Sequence, residues 1–251
     1  MSAVAITLDV EGDYNTPSLR GVDEALPRLL EGFAAREVPL TLFVTGDVAR
    51  ARPAVVRALA DAGHAVASHT MTHPRLSRCD ADALRAELRD SRALLEDVTG
   101  AACAGFRAPF FDLPAEAGEA LAEAGYAWSS SKAPFSPVAG YRHLAATGAP
   151  HRLDGTAVVE HPVPRMLGLP IPEGLSYRRL FWPASALARA IPSTFYLHPY
   201  ELLDAVEPAG MPGWMRPFLT ARQGARAGEI LWGLVDAWRA AGARFVRVGE
   251  A

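Results

Sequence analysis

His69-Thr70-Met71-Thr72-His73 places two histidines four residues apart. Neutral imidazole is a good ligand for zinc and its neighbours, at about 2.0–2.1 Å from the ring nitrogen. On a helix, positions i and i+4 share a face; in a tight loop after a strand, the chain can curl back to the same effect. His64-Ala65-Val66-Ala67-Ser68 reads as a short buried strand, and Pro74 pushes His73 away from helical geometry. The pair is therefore expected at a strand-to-loop junction. Taken alone, the spacing also fits two loop histidines that are merely neighbours.

Three other stretches carry chemistry at the ends of apolar runs: Asp9-Val10-Glu11-Gly12-Asp13, Arg107 and His198. One carboxylate and two histidines make a metal site that leaves positions open for water and substrate. A metal lowers the pKa of bound water towards ~7, so a second carboxylate nearby suffices as base. Arg107 could orient that base through a two-pronged contact, and His198 could protonate a leaving amine. Together these groups supply metal-assisted amide hydrolysis. Asp9, Glu11 and Asp13 alternate with period two, so in an extended chain all three could face one side. Gly12 allows a turn after which Asp13 would bond loop amides instead.

The elements that must position these groups alternate. Strands are expected at Val4–Leu8, Leu40–Val44, His64–His69, Ala104–Arg107, Tyr126–Ser129, Ala157–His161, Thr194–His198 and Arg244–Val248. Helices are expected at Glu24–Arg36, from Pro53 to Gly63, from Asp80 or Asp82 to about Val98, at Pro114–Ala124, near Ala184–Ala190 and at Glu229–Ala241. This alternation argues for α/β with a mainly parallel sheet, and the number of strands suits a barrel better than two domains. In a parallel barrel all carboxyl ends open on one face, so groups nearly 190 residues apart could converge. The loops 131–155 and 204–224 read as lids or rims.

Of the 251 residues, half are hydrophobic and 21% are charged, which is enough apolar material for a substantial core. The net charge of −3 gives no nucleic-acid footprint, which needs a basic surplus. Two cysteines, Cys79 and Cys103, are too few for a disulfide framework and lack metal spacing. No apolar run reaches the ~18 residues of a membrane span, and the stretch before Val4 leads to the expectation of no secretory signal. The expectation is a cytoplasmic protein with no transmembrane segment.

With these residues in place, the chain resembles the polysaccharide deacetylase family, the NodB homology domain of carbohydrate esterase family 4, from about Val4 to Val248. Asp9-Val10-Glu11 matches the family's acidic pair, His69 and His73 its His-x-x-x-His, and Arg107-Ala108-Pro109-Phe110 its Arg-x-Pro-aromatic; His198 corresponds to the histidine of its late Leu-x-His, with the departure that Leu197-His198-Pro199 are contiguous here. The resemblance implies a distorted (β/α) barrel of about seven parallel strands and a single catalytic domain over 1–251. It implies Asp9 as base, His198 as acid and Arg107 as the residue that orients the base. The metal ligands it implies are Glu11, His69 and His73, with Asp13 second to Glu11. The implied cofactor is one divalent metal ion, zinc first, with cobalt, nickel, manganese or iron as alternatives. The implied activity is removal of an N-acetyl or N-formyl group from an amino sugar or glycan precursor. The chain departs from the family in lacking the aspartate–tryptophan motif, in whose place Trp128-Ser129-Ser130 stands. His198-Pro199-Tyr200-Glu201, with Pro164 to Tyr177 before it, resembles the subgroup found with exopolysaccharide biosynthesis.

The remaining candidates carry less. His64, His143 and His151 read as structural or loop-exposed; His161, at a strand end, could touch the site. Tyr200, Trp182 and Trp214 could stack on a sugar ring or pack in core and rim. Ser129 and Ser130 lack a serine-hydrolase elbow. Two other functions remain open: an allantoinase-like amidohydrolase acting on a small non-sugar amide, and a catalytically weak carbohydrate-binding member. The oligomeric state is not legible in the sequence.

Overall fold

Strand β1 (Ala3–Val10) is buried from Val4 to its end, and β2 (Leu40–Val44) is buried throughout. Runs buried on both faces without alternation mark the interior strands of a parallel sheet covered on either side. The computed structural model describes residues 2–134, 149–184, 190–205, 213 and 216–250. The helix expected near 184–190 falls mostly outside the described residues. So do His143, Trp214 and the central parts of both long loops.

The remaining strands are β3 (Ala65–Ser68), β4 (Gly105–Phe106), β5 (Trp128–Ser129), β6 (His151–Arg152), β7 (Val159–Glu160), β8 (Thr194–Leu197) and β9 (Arg244–Phe245). They form one sheet in the order β6-β7-β5-β4-β3-β2-β1-β8, and β9 pairs with the start of β1. Seven strands along this path run parallel; only β6 runs against its neighbour β7. Beyond β8, Gly174 bridges to Tyr196 and extends the curl of the sheet. The architecture is a distorted (β/α) barrel, as expected.

Eight helices cover it among the described residues: α1 (Leu26–Ala34), α2 (Gly46–Ala51), α3 (Pro53–Asp61), α4 (Ala81–Thr99), α5 (Ala117–Glu123), α6 (Leu175–Leu180), α7 (Arg216–Thr220) and α8 (Ala225–Ala240). One core cluster joins the strand residues Ile6, Leu8, Leu42 and Phe195 to Phe33 on α1, Leu88 on α4 and Trp238 on α8. The Asp80 side chain caps α4 and Gly100 ends it in left-handed conformation, which satisfies otherwise orphaned helix-end groups. No helix of the described residues is long and apolar enough to cross a membrane.

Five features differ from expectation. Helix α1 is preceded by a wide π-type turn, Gly21–Ala25, so Pro27 sits in the first turn of α1 but not at the start of the helical path. Helices α2 and α6 and strand β6 were not foreseen, and α7 lies in a stretch expected to be irregular. Elements of two to six residues are too short to display a hydrophobic period. Helix α2 matters most for the site. The Thr45 side chain caps it by accepting from Val48 N–H at 3.3 Å. Its first N–H groups, on Gly46 and Asp47, donate to the carbonyls of Thr70 and Met71. A Cβ at Gly46 would meet the Met71 side chain, which would have to shift.

Candidate active site

The carboxyl end of β1 delivers Asp9 and Glu11 side by side, both almost wholly buried. Asp9 Oδ1 accepts from Arg107 Nη1 at 2.7 Å. The same nitrogen donates to Thr7 Oγ1 at 2.9 Å, Nε to Ser130 O at 2.9 Å and Nη2 to Ser130 Oγ at 2.9 Å. The guanidinium lies 4.0 Å from the centre of the Phe43 ring. Arg107 is fully buried with Asp9 as its charge partner. Its contact to Asp9 uses one nitrogen, not the two-pronged geometry expected, because the other donors are taken by Ser130.

Strand β3 ends at Ser68 and the chain turns at once. Thr70 and His73 adopt left-handed backbone, with φ of 66° and 61°, a cost that persists only where neighbours over-determine the loop. Glu87 on α4 supplies that constraint: its carboxylate accepts from Met71 N–H at 2.7 Å, Thr72 N–H at 2.9 Å and Thr72 Oγ1 at 2.6 Å. The turn brings both histidines to Glu11. Glu11 Oε2 lies 3.2 Å from His69 Nε2 and 2.6 Å from His73 Nε2.

The residues fit a divalent cation. The ligand atoms of Glu11, His69 and His73 all lie within 4.8 Å of one another. Glu11 Oε2 is buried without a satisfactory hydrogen-bond partner. His69 Nδ1 lies 2.7 Å from the carbonyl oxygen of Arg107; a carbonyl only accepts, so Nδ1 carries the proton and the Nε2 lone pair faces Glu11. Burial alone would push the Glu11 carboxyl up. The charges of His73 and His198 outweigh burial and hold it well below the usual carboxylate range.

His198 follows β8 and faces the pair from the opposite side. Its Nε2 is 3.8 Å from Asp9 Oδ2 and 3.9 Å from Glu11 Oε1. Burial would lower its pKa, but hydrogen bonding to Glu201 and the negative charges of Glu11 and Asp9 raise it to about 9. The Tyr200 ring stacks on the imidazole, with centroids 4.8 Å apart and planes 18° apart.

Asp13, the alternative to Glu11, does not join the cluster. Strand β1 ends at Val10, a 3-10 turn starts at Asp13, and the period of two is lost. Asp13 Oδ1 accepts from Gly21 N–H at 2.9 Å and Oδ2 from Ser18 Oγ at 2.6 Å, so it anchors the loop. Tyr200 is buried behind His198, so it offers no free face to a sugar; Trp182 is partly buried against the main core, with the Arg226 guanidinium 5.6 Å from its ring centre. His161 packs edge-on to Trp128, outside the metal-type cluster. His64 is half-buried, and His151 lies at the sheet edge, 3.3 Å from Lys132. Sequence reading missed Thr7 and Glu87, and it quoted Glu201 after His198 without giving it a role. It also saw no role for Ser130 beyond its place in the missing motif. The only signal for Glu201 is its place three residues after His198.

The carboxyl ends of a curled parallel sheet thus gather one carboxylate, two imidazoles and a separate acid–arginine pair in one place. Residues 2–128 match the family model described as polysaccharide deacetylase, and the chain belongs to that family. It is 41% identical over 85 residues to the chitooligosaccharide deacetylase of Sinorhizobium fredii, covering 34% of this chain and 40% of that one. It is 28% identical over 90 residues to the peptidoglycan-N-acetylglucosamine deacetylase of Bacillus cereus, covering 36% and 33%. These matches span less than half of the relatives' own length. Among solved structures, a Mycobacterium smegmatis protein assigned to the polysaccharide deacetylases superposes with a TM-score of 0.68 at 23% identity, covering 99% of this chain and 88% of that one. A Bacillus anthracis pseudoenzyme of the CE4 family superposes with a TM-score of 0.62 at 14% identity, covering 99% and 64%. Since a pseudoenzyme shares the fold, fold alone does not decide activity; the side chains must.

Proposed function

We propose that this chain is a metal-dependent hydrolase that removes an N-acetyl or N-formyl group from an amino sugar or glycan precursor. The observation that carries the reading is the convergence of Glu11, His69 and His73 beside Asp9 and His198. The names of the relatives, chitooligosaccharide deacetylase and peptidoglycan-N-acetylglucosamine deacetylase, support an N-acetylated amino sugar as the substrate class.

Glu11, His69 and His73 would hold the cation, and two imidazoles with one carboxylate suit zinc first, though cobalt, nickel, manganese and iron accept the same donors. When bound, the ion supplies Lewis acidity, which polarises the acyl carbonyl and acidifies water. The protein's own groups do the rest. Arg107 fixes Asp9 Oδ1, leaving Oδ2 as the oxygen free to take a proton from the attacking water. His198 Nε2, on the far side, donates a proton to the departing sugar amine. The amide C–N bond breaks, the acyl group leaves as acetate or formate, and Asp9 and His198 return to their starting states by exchange with solvent.

The test is acid release from a panel of N-acetylated and N-formylated amino sugars by the metal-reconstituted protein. Release from at least one, abolished by chelation, is expected. No release from any sugar, with turnover of a small non-sugar amide, would replace this reading with an amidohydrolase of the allantoinase kind.

A further inference from the structure

Two buried ion pairs lie on the α6 side of the barrel. Glu173–Arg178 joins the segment entering α6 to that helix, with contacts of 2.6 and 3.0 Å. The other touches His198. Glu201 is fully buried and divides its two oxygens between two tasks. Oε2 accepts from Arg179 Nε at 3.0 Å, Arg179 Nη2 at 2.9 Å and Ser176 Oγ at 3.0 Å. Oε1 accepts from the main-chain N–H of His198 at 3.0 Å and lies 3.4 Å from its Nδ1. Arg179 is itself fixed, because its terminal nitrogens donate to the carbonyls of Ala221 and Leu219. Ring contacts complete the seat: Tyr200 stacks on His198 and Tyr196 meets it edge-on at 5.9 Å.

We propose that Glu201, anchored by Arg179 and Ser176, is the positioning residue for His198: it fixes both ends of the imidazole's approach, so that Nδ1–H points back to Glu201 and Nε2 points at Asp9 and Glu11.

This inference rests on the reading of His198 as the acid. A buried guanidinium with its own carbonyl anchors cannot follow a moving carboxylate, so Glu201 is held rigidly, and a rigid second layer is what keeps a reacting group within tolerance. A carboxylate at Nδ1 also favours the ring that carries a proton at both nitrogens, the form an acid needs. The unit lies outside residues 2–128, the part matched by the family model. The chain therefore builds the acid's support from α6 and from the turn after β8, while the base and its arginine lie within the matched part.

The test uses Glu201→Ala and Arg179→Met/Glu201→Ala, the second because it leaves no unpaired buried guanidinium if the single variant fails to fold. Two measurements are made on the full chain. The first is acetate release in a cycle with His198→Ala. In the parent background kcat is expected to fall about 10- to 100-fold while KM changes less than about threefold. In the His198→Ala background no further fall is expected, since a positioning residue acts only through the group it positions. The second needs no turnover: the Nδ1–H resonance of His198 in nitrogen-15-labelled protein exchanges slowly in the parent and is lost in the variants. An equal fall of kcat in the His198→Ala background, or a resonance that persists unchanged, overturns the proposal. If the parent releases acid from no amino sugar, the functional reading falls, and the resonance alone decides whether Glu201 seats His198.

Discussion

The carbonyl oxygen of Arg107 lies 2.7 Å from His69 Nδ1, while the guanidinium of the same residue lies 2.7 Å from Asp9 Oδ1. One residue thus sets the tautomer of a proposed metal ligand with its main chain and the orientation of the proposed base with its side chain. A shift of Arg107 would disturb both halves of the chemistry at once.

Arg107→Met should therefore do two things. It leaves Asp9 buried without its charge partner, which costs about 3–5 kcal/mol in comparable cases. Chemical denaturation should register that loss, and acid release should fall with it. A variant as stable and active as the parent would show that Arg107 only fills space.

Asp9→Asn keeps shape and removes the proton acceptor. Turnover should drop about 10²–10⁴-fold, the usual contribution of a general base, with bound metal unchanged by elemental analysis. Parental turnover would remove Asp9 from the role.

Glu11→Ala should sharply weaken metal binding, because two imidazoles then remain as the only protein ligands. Asp13→Ala should leave metal affinity near the parental value but destabilise the loop by about 1–3 kcal/mol, since Gly21 N–H loses a buried acceptor. Titration of the metal-free proteins with zinc separates the two. The reverse pattern would make Asp13 the ligand.

Glu87→Gln keeps a carbonyl for one loop N–H but cannot serve the Met71 and Thr72 donors as a carboxylate does. The left-handed conformations at Thr70 and His73 then lose part of their support. Metal affinity should fall about 10- to 100-fold, the range seen when supporting groups of a metal site are removed. Unchanged zinc affinity would show that α2 alone holds the loop.

His198 gives a pH prediction for the metal-free protein. Its folded pKa is raised to about 9, above the ordinary value near 6.5. A group raised on folding stabilises fully below its unfolded pKa and loses that contribution as pH climbs through the folded one. The His198 contribution, on the order of 3 kcal/mol, should be present at pH 6 and fade between about 6.5 and 9. Thermal unfolding of the metal-free parent against His198→Gln across that range reads it directly. A difference that stays constant with pH would contradict the assignment.

Much of this was written in the sequence because it is local. Short continuous apolar runs mark β1 and β2, and period-3.6 patterns mark α1, α4 and α8; Asp80 and Gly100 mark the ends of α4. The His-x-x-x-His spacing and the acidic strand end name the ligand types, and the βα alternation requires that carboxyl ends share one face. What the sequence left open was decided by three-dimensional placement. Asp9, Glu11 and Asp13 are equivalent by spacing; only the end of β1 at Val10 and the turn at Asp13 separate them. Glu87 and Glu201 look like surface acids in the sequence, and only the short spacing from His198 to Glu201 is local. Their distant partners, Met71 and Thr72 for Glu87 and Arg179 for Glu201, come from different elements. Hydrophobic burial of those elements against a common core sets the distances between them, and no residue pattern within one element encodes that.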